Sequence, residues 1–104
     1  MNINYDLLRE VLIKANETFN GFQQNSNIFV NNQFGKAKKN DVNFHLTVLI
    51  QSRILEGKIT GTIDVKQVSV PYGYDFLQTI KNNEVWEAVK EKLNPIDECP
   101  LHLV

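Results

Sequence analysis

Near the start of the chain, apolar residues recur at helical spacing: Leu7, Val11 and Ala15, widened by Leu8, Leu12 and Phe19. That stripe predicts an amphipathic helix over residues 5–19. Asn4 is placed to cap it, and Asp6 lies in the first turn, where a carboxylate complements the helix dipole. The pattern then lapses. Asn20-Gly21 breaks the helix and Asn25-Ser26 marks a turn. The run Ile28-Phe29-Val30 is β-prone and reads as a short strand. Gly35 opens a basic approach made of Lys36, Lys38 and Lys39.

A second helix is expected over residues 41–52, with Asn40 or Asp41 as its N-cap. Val42, Leu46, Leu49 and Ile50 form its core stripe, while Asn43, Thr47 and Gln51 fall at i, i+4 and i+8 on the opposite side. After the exit through Gly57, the apolar positions Ile59, Ile63, Val65, Val68 and Val70, interrupted by Gly61, predict two strands joined within residues 60–66. Pro71 suits the first position of a helix over 71–81, with Phe76, Leu77 and Ile80 inward. Asn82-Asn83 recaps, and Val85, Trp86, Val89 and Leu93 define a last helix over 84–93, stopped by Asn94-Pro95. Helix, irregular segment, helix, hairpin, helix, helix is the order of a winged-helix domain. The expected class is therefore α+β, winged-helix-like, with three to four helices packed on two or three antiparallel strands. The helix that normally precedes the hairpin helix is expected to be short or missing. In such folds the helix before the hairpin is the one offered to the major groove.

At 104 residues the chain fits one domain, and 42% hydrophobic with 22% charged residues is a folding composition, not a disordered one. No apolar run approaches the roughly 18 residues that span a bilayer, so no membrane contact is expected. The N-terminus lacks the basic start and apolar stretch of a secretory leader. A single cysteine, Cys99, fits a reducing compartment. A cytoplasmic location is the expectation. The net charge of −1 gives no global pull toward a polyanion. Its distribution is more telling: residues 1–29 sum to −1, residues 30–70 to +3 and residues 71–104 to −3. The basic centre coincides with the predicted helix and hairpin.

The stretch from Val42 through Phe44, His45, Leu46, Leu49, Ile50, Ile54, Leu55 and Glu56 to Gly57 resembles the helix-to-strand block of a family of uncharacterised bacterial and phage proteins. Gly73, Asp75, Phe76, Leu77, Ile80, Val85 and Trp86 are similar to a second block of that family, and Tyr5-Asp6-Leu7-Leu8-Arg9 to its opening helix. The resemblance spans about half of the chain in the family's order. It implies a winged-helix-like domain of unknown function and no activity. Tyr74 stands where the family has His, and Val70-Pro71 where a Thr-Trp pair is usual, so Ser69 or Pro71 must start the helix that follows.

No arrangement of side chains points to catalysis. No Ser or Cys sits in a nucleophile elbow, no glycine-rich phosphate loop is present and no cofactor motif occurs. The chain is read as a non-enzyme without cofactor. Cys99 and His102 have metal-ligand spacing, but a zinc site needs three or four ligands. Glu84, Glu87 and Glu91 alternate with lysines as a solvated face. His45, inside an apolar helix, reads as a structural histidine bonded where helix meets sheet. The candidate surface joins Lys36, Lys38 and Lys39 with Asn43, Thr47 and Gln51, and with Lys58 and Lys66 in the wing. Lysines would neutralise phosphates, and Asn or Gln can pair with adenine edges. Double-stranded DNA is the first candidate partner, read by an accessory regulator of a mobile element. A protein partner, such as a host protein modulated by a phage-borne module, is the second. A homodimer through Leu7, Val11, Val85 and Val89 is a further expectation.

Overall fold

In the computed structural model, which describes residues 3–93, helix α1 (Tyr5–Thr18) begins at its expected cap. Asn4 Oδ1 accepts the Leu7 backbone N–H at 3.1 Å. The Phe19 N–H closes the other end on the Ala15 carbonyl. Leu8, Val11, Leu12 and Ala15 are fully buried. Val11 is thus taken up by the protein's own core, while Leu7 packs against that core and is partly buried.

Between residues 20 and 40 the structure departs from the sequence reading. Strand β1 (Gln24–Asn25) is followed at once by helix α2 (Ser26–Gln33). Ile28-Phe29-Val30 is helical, not a strand. An alternating strand would put Ile28 and Val30 on one face; instead Phe29 and Val30 are both buried while Ile28 is exposed. Ser26, Phe29 and Val30 bury at i, i+3 and i+4, the helical spacing. Asn25 fixes the boundary, ending the strand and accepting the Asn27 N–H at 2.8 Å. Packing of Phe29 between Phe19 and Phe34 then overrides the β propensity of the run. The helix expected to be short or missing is short: α2 has eight residues.

A single 3-10 turn (Lys36–Lys38) leads into α3 (Lys39–Gln51), which starts before the predicted Asn40 or Asp41 cap and has no side-chain cap. Strands β2 (Leu55–Ile59) and β3 (Ile63–Val68) form the predicted hairpin. With β1 they make a three-stranded antiparallel sheet in the order β1-β3-β2. Register shifts between Glu56 and Gly57. There a Cβ would stand 2.3 Å from the Asp64 carbonyl oxygen, so only glycine lets β2 lie this close to β3; Ile50 Cδ1 of α3, at 3.2 Å, crowds the same point.

Helices α4 (Tyr72–Lys81) and α5 (Asn83–Leu93) complete the described fold. Of the two expected starts, Pro71 stands at the N-cap of α4 and Ser69 supports its first turn: the Ser69 hydroxyl accepts the Gly73 N–H at 2.9 Å and donates to the Arg53 carbonyl at 2.7 Å. Arg9 holds the other end of α4. Its Nε donates to the Ile80 carbonyl at 2.7 Å, and Nη2 donates to the Lys81 carbonyl and to Asn83 Oδ1. Trp86 is 1% exposed and its Nε1–H donates to Asp6 Oδ1 at 3.2 Å, pinning α5 to α1. Val85, predicted inside, is exposed, and Trp86 carries the packing instead. The architecture is thus mixed α+β: five helices and one three-stranded antiparallel sheet. Among the described residues no helix is long and apolar enough to cross a membrane. Cys99 and His102 lie outside those residues.

Candidate nucleic-acid interface

Helix α3 is the central element, packed on α1, α2 and β2. Val42, His45, Leu46 and Leu49 face inward. Asn40 and Gln51 are exposed, while Asn43, Phe44, Thr47 and Val48 are half-buried. The outermost line therefore runs Asn40, Phe44, Thr47, Gln51, at i, i+4, i+7 and i+11. Of the predicted stripe, Thr47 and Gln51 lie on that line and Asn43 lies to one side of it. Asn43 Oδ1 is enclosed and has no hydrogen-bond partner among the described residues, so that acceptor is withdrawn from the surface. Thr47 donates its hydroxyl hydrogen to the Asn43 carbonyl at 2.9 Å. Its oxygen lone pairs and the Gln51 amide are what remain for an incoming partner.

The eight predicted residues separate into two cationic ends joined by this face. Lys36, Lys38 and Lys39 are exposed where the 3-10 turn enters α3. Lys58 and Lys66 line an open groove at the other end, between α3 and the hairpin, together with Arg53, Ile50 and Glu56. The 13 residues of α3 put about 20 Å between the two ends, at 1.5 Å of rise per residue. None of these six cations forms an ion pair among the described residues; Lys58, opposite Asp64 in the ladder, is no exception. Glu56, the carboxylate in the groove, accepts the Gln67 amide at 2.9 Å. Both ends carry a net positive charge, the first with the exposed Asp41 beside its three lysines, and the line from Asn40 to Gln51 between them is uncharged.

Asn40 and Arg53 were missed in the sequence. Asn40 counts as a cap for a helix that starts at residue 41, but α3 starts two residues earlier, at Lys39. Arg53 falls just past the helix, where its residue type gives no hint of a special backbone position. Reading the exit through Gly57 looks too far along the chain; the left-handed residue is Arg53, two positions after Gln51.

His45 is buried and structural, but it binds a helix end and not the sheet. Its Nδ1 lies 2.6 Å from the Asp41 carbonyl and donates to it, and Nε2 accepts the Asn4 backbone N–H at 2.9 Å. One imidazole thereby ties the start of α1 to the first turns of α3. His45→Leu keeps most of the volume but leaves the Asn4 backbone N–H without its partner, while the Asp41 carbonyl keeps its helical bond. We expect a loss of about 1–3 kcal/mol, read from urea unfolding.

With fold and surface in view, the class is a small α+β domain whose central helix carries basic residues at both ends. The chain belongs to the family described as "Hypothetical protein (DUF2513)", a domain of unknown function whose model matches residues 2–96. No curated protein and no solved structure matches the chain.

Proposed function

We propose that this chain is a winged-helix-like module that binds double-stranded DNA, with α3 in the major groove and the β2–β3 hairpin as its wing. The observation that carries this reading is the pair of cationic ends on α3. A helix lying in a groove about 12 Å wide meets a phosphate backbone on either side, and cations about 20 Å apart can reach both. The element order α1, β1, α2, α3, β2, β3 and the strand order β1-β3-β2 support the same docking geometry. Lys36, Lys38 and Lys39 would hold one backbone, and Lys58 and Lys66 the other. Gln51 and Thr47 are the side chains available to base edges, and Phe44 offers an apolar contact to a thymine methyl. In the bacterial and phage setting that the family resemblance implies, such a module serves as an accessory regulator of a mobile element.

Fluorescence anisotropy of a labelled duplex tests this. We expect binding at 50 mM salt that weakens steeply with added salt, and a Lys36/Lys38/Lys39→Ala variant whose log–log salt slope is smaller by about 2–3. Absence of binding by the unmodified chain at 50 mM salt would sink the reading.

A second reading, docking to a protein, is favoured by Phe22 and Ile28, which are 76% and 72% exposed beside the short strand β1. The discriminating observation is a complex that survives nuclease digestion.

A further inference from the structure

The exit of α3 holds a feature that the fold alone does not require. The Arg53 N–H donates to the Ile50 carbonyl and the Ile54 N–H to the Leu49 carbonyl, both at 3.0 Å. That pair of bonds is a Schellman closure, with Ile54 and Leu49 both buried as its apolar contact. The residue at its left-handed position is Arg53, with φ of 64°, the one non-glycine residue at positive φ among those described. Glycine adopts this conformation without steric cost, whereas an arginine backbone is strained there. Strain of this kind persists where the side chain is needed. The Arg53 side chain is exposed and lines the groove with Lys58 and Lys66.

We propose that this groove is a seat for a phosphate group, with Arg53 as its principal ligand, and that the left-handed turn is retained to aim that side chain. A guanidinium presents a planar fork that takes two phosphate oxygens at once, and the two lysines add charge on the opposite wall. The carbonyls of Val48, Leu49 and Ile50 are already occupied by the N–H groups of Ser52, Ile54 and Arg53, so the negative end of α3 is largely covered. Glu56 is engaged by Gln67 and leaves the groove with a cationic excess. The proposal rests on the DNA reading for the source of the phosphate, a backbone phosphodiester, but not for the groove itself.

Arg53→Gly separates the side chain from the backbone. Relieving the left-handed residue raises Tm by roughly 3–6 °C, while duplex affinity falls about tenfold and the salt slope drops by about one. Arg53→Lys keeps the charge but not the fork, and falls between the two in affinity. Duplex binding equal to that of the unmodified chain in Arg53→Gly would overturn the proposal. So would a lowered Tm in that variant, which would show the arginine serving the helix end. If the unmodified chain binds no duplex, the DNA reading fails by itself and inorganic phosphate decides the seat. Saturable shifts at the backbone amides of Arg53, Lys58 and Lys66 in proton–nitrogen spectra, abolished by Arg53→Gly, support it. Their absence overturns it.

Discussion

Trp86→Ala is expected to remove about 3–5 kcal/mol of stability, the range for deleting a large buried aromatic side chain. Trp86 joins α5 to α1 through burial and through its bond to Asp6. α5 packs mainly on α4, so little else ties it to the rest of the described fold. Arg9 holds the α4–α5 junction from the same helix, at Ile80, Lys81 and Asn83. Removing the indole therefore leaves a large cavity beside a junction held by hydrogen bonds. A domain of this size stores only about 5–15 kcal/mol in total, so the loss is a large share of it. Circular dichroism during urea unfolding reads the change. Trp86→Phe, which keeps the ring but not the Asp6 bond, is expected to lose much less. A Trp86→Ala protein as stable as the unmodified chain would mean that α5 is not part of the cooperative unit.

The second large effect is expected at Gly57. An added methyl at this position meets the Asp64 carbonyl, which belongs to the facing strand and has no freedom to rotate aside. Ile50 on α3 crowds it from the other side. Gly57→Ala forces the register shift between Glu56 and Gly57 to open, at a cost of roughly 2–3 kcal/mol. The hairpin would then move away from α3 and carry Lys58 and Lys66 with it. Both stability and duplex affinity are expected to fall, whereas His45→Leu acts at the far side of α3 and leaves affinity per folded molecule unchanged. Thermal unfolding and anisotropy on the same samples separate the two. A Gly57→Ala protein with unchanged Tm would contradict the close approach of β2 to the Asp64 carbonyl on β3.

Much of this architecture was legible because it is written in periodic apolar positions. The stripe of Leu8, Val11, Leu12 and Ala15 defines α1, and the valines and isoleucines of residues 59–68 define the hairpin. Elements that depend on distant partners were not legible. Strand β1 has two residues and no alternation; it exists because Gln24 and Asn25 meet Val65 and Asp64. Helix α2 was hidden by the β propensity of Ile28 and Val30, although Ser26, Phe29 and Val30 already carried helical spacing beneath it. The lysines of the candidate surface were legible as a charge excess in the middle of the chain. Their division into two ends was not, because it depends on where α3 begins and stops. The role of Arg53 lay deeper still, since a backbone torsion leaves no mark in residue type.

The proposal that α3 and the β2–β3 hairpin form one surface for double-stranded DNA is tested most directly by titrating the isotopically labelled chain with a short duplex at low salt and mapping the amide shifts. The expected result is a set of perturbations running through residues 36–53 and along the β2–β3 hairpin, with α4 and α5 unmoved. A spectrum unchanged by duplex, or shifts confined to α1, α4 and α5, would contradict it.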